Sequence, residues 1–330
     1  MKWQKWRDYL DVQLYHYIEN NMQITNHILM IEPVNFDFNY QTSKNNFYQK
    51  NVNNNSSQTI QQRAHQEFVS FVDKLKKHHI NVISIKDSNV PHTPDSIFPN
   101  NWISFHKNSL IAIYPMFAEN RRNERREDVI ELIKNSGFKI ENKIDFSSHE
   151  TNEKFLEGTG SLVLDRVNKI CYASLSERTN KELVHLFCQE FNYTPLLFTS
   201  KQNAGSKRLP IYHTNVMMSI CDTFSIVCLE AIDNLKERNN LIKSLKSTNK
   251  EIIEINESQK SNFAGNMLQL MGDKPYLIMS SRSYKSLDDN QIERIKSHCD
   301  IIHTPLDVIE TYGGGSARCM IAEIFLPKIK

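Results

Sequence analysis

The chain is poor in glycine: nine in 330 residues, against roughly seven per cent in an average soluble protein. It also lacks a dominant charge, since 40 Lys and Arg face 38 Asp and Glu for a net charge of +2, and nothing recommends nucleic acid as a partner. Long apolar runs are missing, so no membrane span is expected, and residues 1–20 have neither the apolar stretch nor the small-residue cleavage site of a signal peptide. The six cysteines contain no CxxC pair, which argues against a disulfide framework and for a reducing, cytoplasmic location. Five of them sit in apolar or strand-like runs and read as core. Cys319 differs, because Gly313, Gly314 and Gly315 stand just before it. Gly158 and Gly160 follow Glu157, so over half of a scarce residue lies beside one thiol and one carboxylate.

What is present is a repeat. Apolar periodicity gives units in the order strand, strand, helix, strand. The first runs through Trp102–Phe105, Leu110–Tyr114, a helix over Glu124–Lys134 and Phe138–Phe146. The second has Ser161–Leu164, Ile170–Ala173, a helix over Asn180–Glu190 and Thr194–Thr199. The third has Val216–Ile220, Ser225–Leu229, a helix over Leu235–Leu245 and Glu251–Ile255. The fourth has Met267–Leu270, Tyr276–Met279, a helix over Asp288–Ser297 with Ser286 and Asp289 as a capping pattern, and Ile301–His303. The two chain ends supply a fifth: Met320–Leu326, Ile28–Val34, a helix with Ile60, Ala64, Phe68, Phe71, Val72 and Leu75 on one face, and Asn81–Ile85. Joining the ends predicts an α/β fold, a five-bladed propeller-like ring with no exposed sheet edge. Residues 1–24 fall outside the catalytic domain of residues 25–330; Trp3, Trp6, Leu10, Leu14 and Tyr17 at helical spacing predict a helical appendage. Asn51–Gln58 reads as a polar loop.

The chemically capable residues occupy one position of the repeat, just before the first strand of a unit. Cys319 opens the unit made from the termini, Asp95 and Asn100–Asn101 the next, Glu157 another and His213 another, whereas Phe263–Asn266 brings no acid, base or nucleophile. In a closed ring these positions meet at one end of the axis. A Cys, a His and a Glu together form a nucleophile, a proton shuttle and a carboxylate; singly, each is as well explained as a core residue. No local ligand spacing suggests a metal, and no cofactor is implied.

This arrangement resembles the guanidine-modifying, or pentein, superfamily of arginine deiminases, dimethylargininase, agmatine deiminases, succinylarginine dihydrolase and amidinotransferases. The motifs are Pro94–Trp102, Leu156–Gly160, His213–Asn215 and Gly313–Cys319, and the similarity extends over about residues 25–330, most of all to the arginine-deiminase-related, citrulline-utilisation hydrolases. The resemblance implies Cys319 as nucleophile, His213 as general acid and base, and Glu157 beside the reacting carbon. It implies Asp95 as a substrate-binding aspartate and Arg121 and Arg178 as holders of an α-carboxylate, though a solvated charge cluster explains the arginines equally well. Asn101 and Asn215 replace aspartates that clamp a guanidinium in arginine deiminases; their NH2 groups suit a ureido carbonyl. The expected activity is hydrolysis at a guanidino or ureido carbon of an arginine- or citrulline-like small molecule through a covalent Cys intermediate. Amidino transfer to an amine, a non-catalytic binding role and action on protein arginine remain alternatives, and a homo-oligomer is compatible with the sequence.

Overall fold

The structure is a computed structural model describing residues 22–52 and 56–329. The repeat is present as five three-stranded sheets, each joining one antiparallel and one parallel pair. The chain ends meet in one of them. Ala322–Glu323 runs antiparallel to His27–Glu32, with Leu29 opposite Ala322, and His27–Glu32 runs parallel to Asn81–Lys86. The same order recurs in Ile103–His106, Leu110–Ile113 and Asn142–Asp145, and in Val163–Asp165, Ile170–Ser174 and Thr194–Phe198. It recurs again in Met218–Ile220, Phe224–Val227 and Glu251–Glu254, and in Leu268–Met271, Pro275–Ser280 and Asp300–Thr304.

Burial follows the order within each sheet. The middle strands are buried along most of their length, Phe224–Val227 throughout, as expected of strands covered on both faces. The third strand Asn81–Lys86 mixes exposed and half-buried residues and has none that is fully buried. The connecting helices bury one face each. Along Ser57–Lys77 that face is Ile60, Ala64, Phe68, Phe71, Val72 and Leu75, and the Ser56 side chain caps the first turn by accepting from the Thr59 N–H. The first strands neighbour one another: Ala322–Glu323 packs beside Ile103–His106, and Met218–Ile220 beside both Val163–Asp165 and Leu268–Met271.

Three local expectations change. The helix Asp289–Lys296 is capped by Asp288 and Gln291 in a reciprocal box; Ser286 ends the preceding helix, where its hydroxyl donates to the Ser283 carbonyl. The terminal strand is two residues long, not seven. An antiparallel hairpin, Lys201–Ala204 with Lys207–Pro210, projects between Phe198 and His213, where sequence periodicity gives no element. The helix expected within residues 1–24 lies outside the described residues up to position 21.

Candidate active site

The first strands of the sheets are entered through tight turns, and these turns converge. Pro99–Asn101 leads into Ile103–His106, Gly158–Ser161 into Val163–Asp165, and Thr214–Val216 into Met218–Ile220. Cys319 lies just before Ala322–Glu323. Asp95, Asn101, Arg121, Arg178, His213 and Cys319 line one cavity, together with Asn46, Phe98 and Tyr212. Glu157 borders the same cluster through His213 and both arginines. The sequence-predicted residues are therefore brought together, and all are buried.

His213 Nε2 lies 2.7 Å from Glu157 Oε2. A carboxylate only accepts, so this contact assigns the proton to Nε2 and the lone pair to Nδ1. Burial lowers the imidazole to about 4, with Glu157 opposing the shift, so the ring is neutral at pH 7. For Glu157, burial pushes the carboxyl up, but Arg178, His213 and Arg121 together bring it below the usual carboxylate range. Gly160 makes the packing possible: a Cβ there would stand 2.5 Å from Asn101 Nδ2 and 2.7 Å from His213 Nδ1.

The thiol has two amide donors. Asn266 Nδ2 is 3.2 Å and Asn215 Nδ2 3.6 Å from Cys319 Sγ. Burial raises the thiol above its ordinary value, while the Ser316 backbone, Asn266, Arg318 and Asn215 pull the other way. Asn266 is neither acid, base nor nucleophile, so the sequence alone does not single it out. It also donates to the Asn215 carbonyl and accepts from the Arg318 N–H, and its place before Leu268–Met271 matches that of the other site residues.

The rim is closely packed. Gly313 and Gly315 border the cavity, and what comes close to them is protein: a Cβ on Gly315 would meet the Phe98 ring at 2.8 Å and Cys319 Cβ at 3.2 Å. The arginines are not a solvated cluster. Arg121 holds Glu124 with two bonds of 2.8 Å and gives Nη1 to Asn101 Oδ1 at 2.8 Å. Arg178 donates to Asn45 Oδ1 from Nε and to the Thr42 carbonyl from Nη2, lies 3.4 Å from Glu157, and sits over the Tyr212 ring. Much of each guanidinium is thus satisfied within the protein.

Residues 35–52 cover the site. Asn39 and Thr42 donate to Asp95 Oδ2 at 2.8 and 3.0 Å. Asn46 reaches the Gly313 carbonyl, and Gln49 Nε2 the Tyr312 carbonyl at 2.9 Å. The second Asp95 oxygen, Oδ1, is buried and meets no donor. Burial raises this carboxyl, and Arg121, Asn39 and Thr42 only partly offset it. About 10 Å³ is open to the centre of a water-sized sphere, close to the limit for a single water, so an amino-acid ligand requires the cover to move. Among the described residues, no group of three His, Cys, Asp or Glu side chains is arranged to hold a metal, and no helix is long and apolar enough to cross a membrane.

A family model described as N,N dimethylarginine dimethylhydrolase, eukaryotic, matches residues 32–326. The chain belongs to this family, and through it to the pentein superfamily of guanidino-modifying enzymes. A comparison with curated proteins finds no match. Among solved structures, ArgZ, an arginine dihydrolase from the ornithine-ammonia cycle in cyanobacteria, is 18% identical with a TM-score of 0.68, over 92% of this chain and 41% of its own. The present chain therefore spans about two fifths of full-length ArgZ. The N-terminal domain of ArgZ alone, bound to product, is 17% identical with a TM-score of 0.67, covering 91% of this chain and 99% of that domain. A dimethylarginine dimethylaminohydrolase variant carrying an S-methyl-L-thiocitrulline adduct is 14% identical with a TM-score of 0.60, over 91% and 100%. At such identities the likeness carries the fold.

Proposed function

We propose that the protein is a cysteine-dependent hydrolase acting on the guanidino carbon of an arginine-like amino acid. The observation that carries this is Asp95 Oδ1, a buried carboxylate oxygen without a donor at the cavity. Burial raises Glu124, which Arg121 holds, to about 8, so the charge of the cluster rests on Asp95 and Glu157 facing Arg121 and Arg178. A guanidinium N–H donor at Oδ1 supplies the missing partner and favours the ionised Asp95 through a charge-assisted bond, which a neutral ureido group does less strongly. The first strands of the five sheets are read as the inner strands of a closed five-bladed ring, with the site at one end of its axis.

In this reading the cationic head enters beside Asp95 and Glu157 and favours ionisation of Cys319, whose thiol is otherwise held protonated by burial. Sγ forms a bond to the guanidino carbon, and Asn266 and Asn215 hold the sulfur. His213 carries the proton to the leaving nitrogen, which departs as ammonia or an alkylamine while a thiouronium remains. His213 then takes a proton from water as its oxygen attacks that carbon; the C–S bond breaks and the thiolate leaves. Glu157 holds the imidazole and steadies its cationic form.

Asn101 and Asn215 favour a second reading, in which a ureido compound is also bound and hydrolysed. ArgZ is described as an arginine dihydrolase, and hydrolysing arginine twice at the same carbon means meeting a guanidino and then a ureido head group. Product analysis over arginine, citrulline, agmatine and methylarginines decides between them. Citrulline as the end product supports single hydrolysis, ornithine with two ammonia supports the dihydrolase, and dimethylamine from dimethylarginine supports the activity for which the family is named. A guanidino product on addition of glycine would favour amidino transfer instead. Absence of turnover, with no rapid labelling of Cys319 by a haloacetamidine, would refute the enzymatic reading and leave a binding role.

A further inference from the structure

A second polar cavity is lined by the inner strands themselves. Gln23, Thr159, Arg166, Ser219, Arg318 and Glu323 contribute its polar surface, and about 20 Å³ is open to the centre of a water-sized sphere. This is more than one water position needs. The Ser219 hydroxyl is buried and finds no partner. Arg318 pairs with Glu323 at 2.8 Å and gives Nη1 to the Ile321 carbonyl. Arg166 stands 3.6 Å from the same Glu323 carboxylate, with its guanidinium 3.9 Å from the centre of the Phe325 ring. Two guanidinium groups therefore share one carboxylate, and among the described lining residues one positive charge is left uncompensated. Burial penalises that charge, and Arg318 is held below its ordinary value by it. Gln23 is tied down by bonds from its amide to the Leu164 carbonyl and from the Arg166 N–H.

We propose that this cavity is a binding site for a small monovalent inorganic anion of about chloride's size, held by Arg166, Arg318 and the Ser219 hydroxyl. A water would satisfy Ser219 but leave the buried charge; an anion satisfies both. The site is wired to the thiol. Arg318 precedes Cys319 in the chain, and its N–H donates to Asn266 Oδ1 while Asn266 Nδ2 donates to the sulfur. An occupying anion offsets the cation that helps Cys319 ionise, so occupancy slows thiol chemistry.

The test uses bromide and chloride on the whole protein. Crystals soaked in sodium bromide should show an anomalous peak between Arg166, Arg318 and Ser219. At equal ionic strength, sodium chloride should raise Tm by about 2 °C over sodium gluconate. Ser219→Ala should reduce that difference and Arg166→Met abolish it; S219A removes one hydroxyl, so the test does not depend on whether R166M folds. Alkylation of Cys319 by a neutral reagent should be roughly threefold slower in chloride; equal rates in both salts overturn the coupling. A cavity holding water alone, an adventitious ion only on the surface, or equal Tm in the two salts overturns the site.

Discussion

The floor of the candidate active site and its cover are held by different bonds. On the floor, Trp102 N–H donates to the Pro99 carbonyl, Leu162 to Gly158 and Met217 to Thr214, and the chain passes straight into sheet strands. On the cover, residues 35–52 reach the rest of the site chiefly through side-chain amides and hydroxyls: Asn39 and Thr42 to Asp95, Asn46 to Gly313, Gln49 to Tyr312. The Lys50 N–H to the Thr311 carbonyl is a backbone tie on this side. Side-chain bonds of this kind contribute about 0.5–1.5 kcal/mol each, because water replaces them on opening. Shifting the floor instead separates strands that are buried on both faces. The pattern suits a site with prearranged chemistry and variable access.

That contrast can be broken at several points. Cys319→Ser should lower turnover on the order of 10⁴-fold or more with unchanged circular dichroism; ammonia release near the parent rate would remove Cys319 from the chemistry. Gly160→Ala presses on Asn101 and His213 together and should reduce kcat by roughly 100-fold, with a loss of about 1–3 kcal/mol in denaturant titration. Full activity there would mean that the floor yields as easily as the cover. Asn266→Ala should slow alkylation of Cys319 at pH 7 about tenfold with little change in Tm; an unaltered rate would make Asn266 a packing residue.

On the cover, Gln49→Ala should raise KM about threefold, leave kcat within about twofold, and speed amide exchange over residues 36–52 but not 99–106. Equal acceleration in both segments would erase the distinction. The smallest effect concerns pH. His213 and His27 are both lowered to about 4 by burial, and His106 is lowered as well. Between the unfolded value of 6.5 and about 4 these imidazoles bind fewer protons in the folded chain than in the unfolded one, so their contribution to stability falls as pH falls, while Glu124 and Glu310, raised to about 8 and about 7, act in the opposite sense. A His213→Gln variant should lose less Tm than the parent on going from about pH 7 to about pH 5, and an identical pH dependence of the two would contradict the neutral imidazole.

Much of this was legible in the residues. The strand-strand-helix-strand order could be read because apolar periodicity is a local signal, and the joining of both chain ends followed from counting units. Cys319, His213, Glu157, Asp95 and Asn101 could be read because they share one place in the repeat. Asn266 shares that place too, but an amide does not announce chemistry until a sulfur is found 3.2 Å away. The partners of Arg121 and Arg178 were also hidden: Asn45 is 133 positions from Arg178, and no local pattern encodes such a pairing. Ser286 and Asp288 show the same limit at small scale, since two capping residues compete and only the final turn selects one.

By itself the sequence determined the repeat, the register of its catalytic candidates and the gathering of an otherwise scarce glycine around them, because each depends on side-chain type and spacing along the chain. Only the tertiary structure decided which charges face one another, that Asp95 keeps one oxygen unpartnered, and that residues 35–52 close over it. Those outcomes depend on distances between segments far apart in sequence, where burial turns a few ångströms into the difference between a satisfied and an unsatisfied charge.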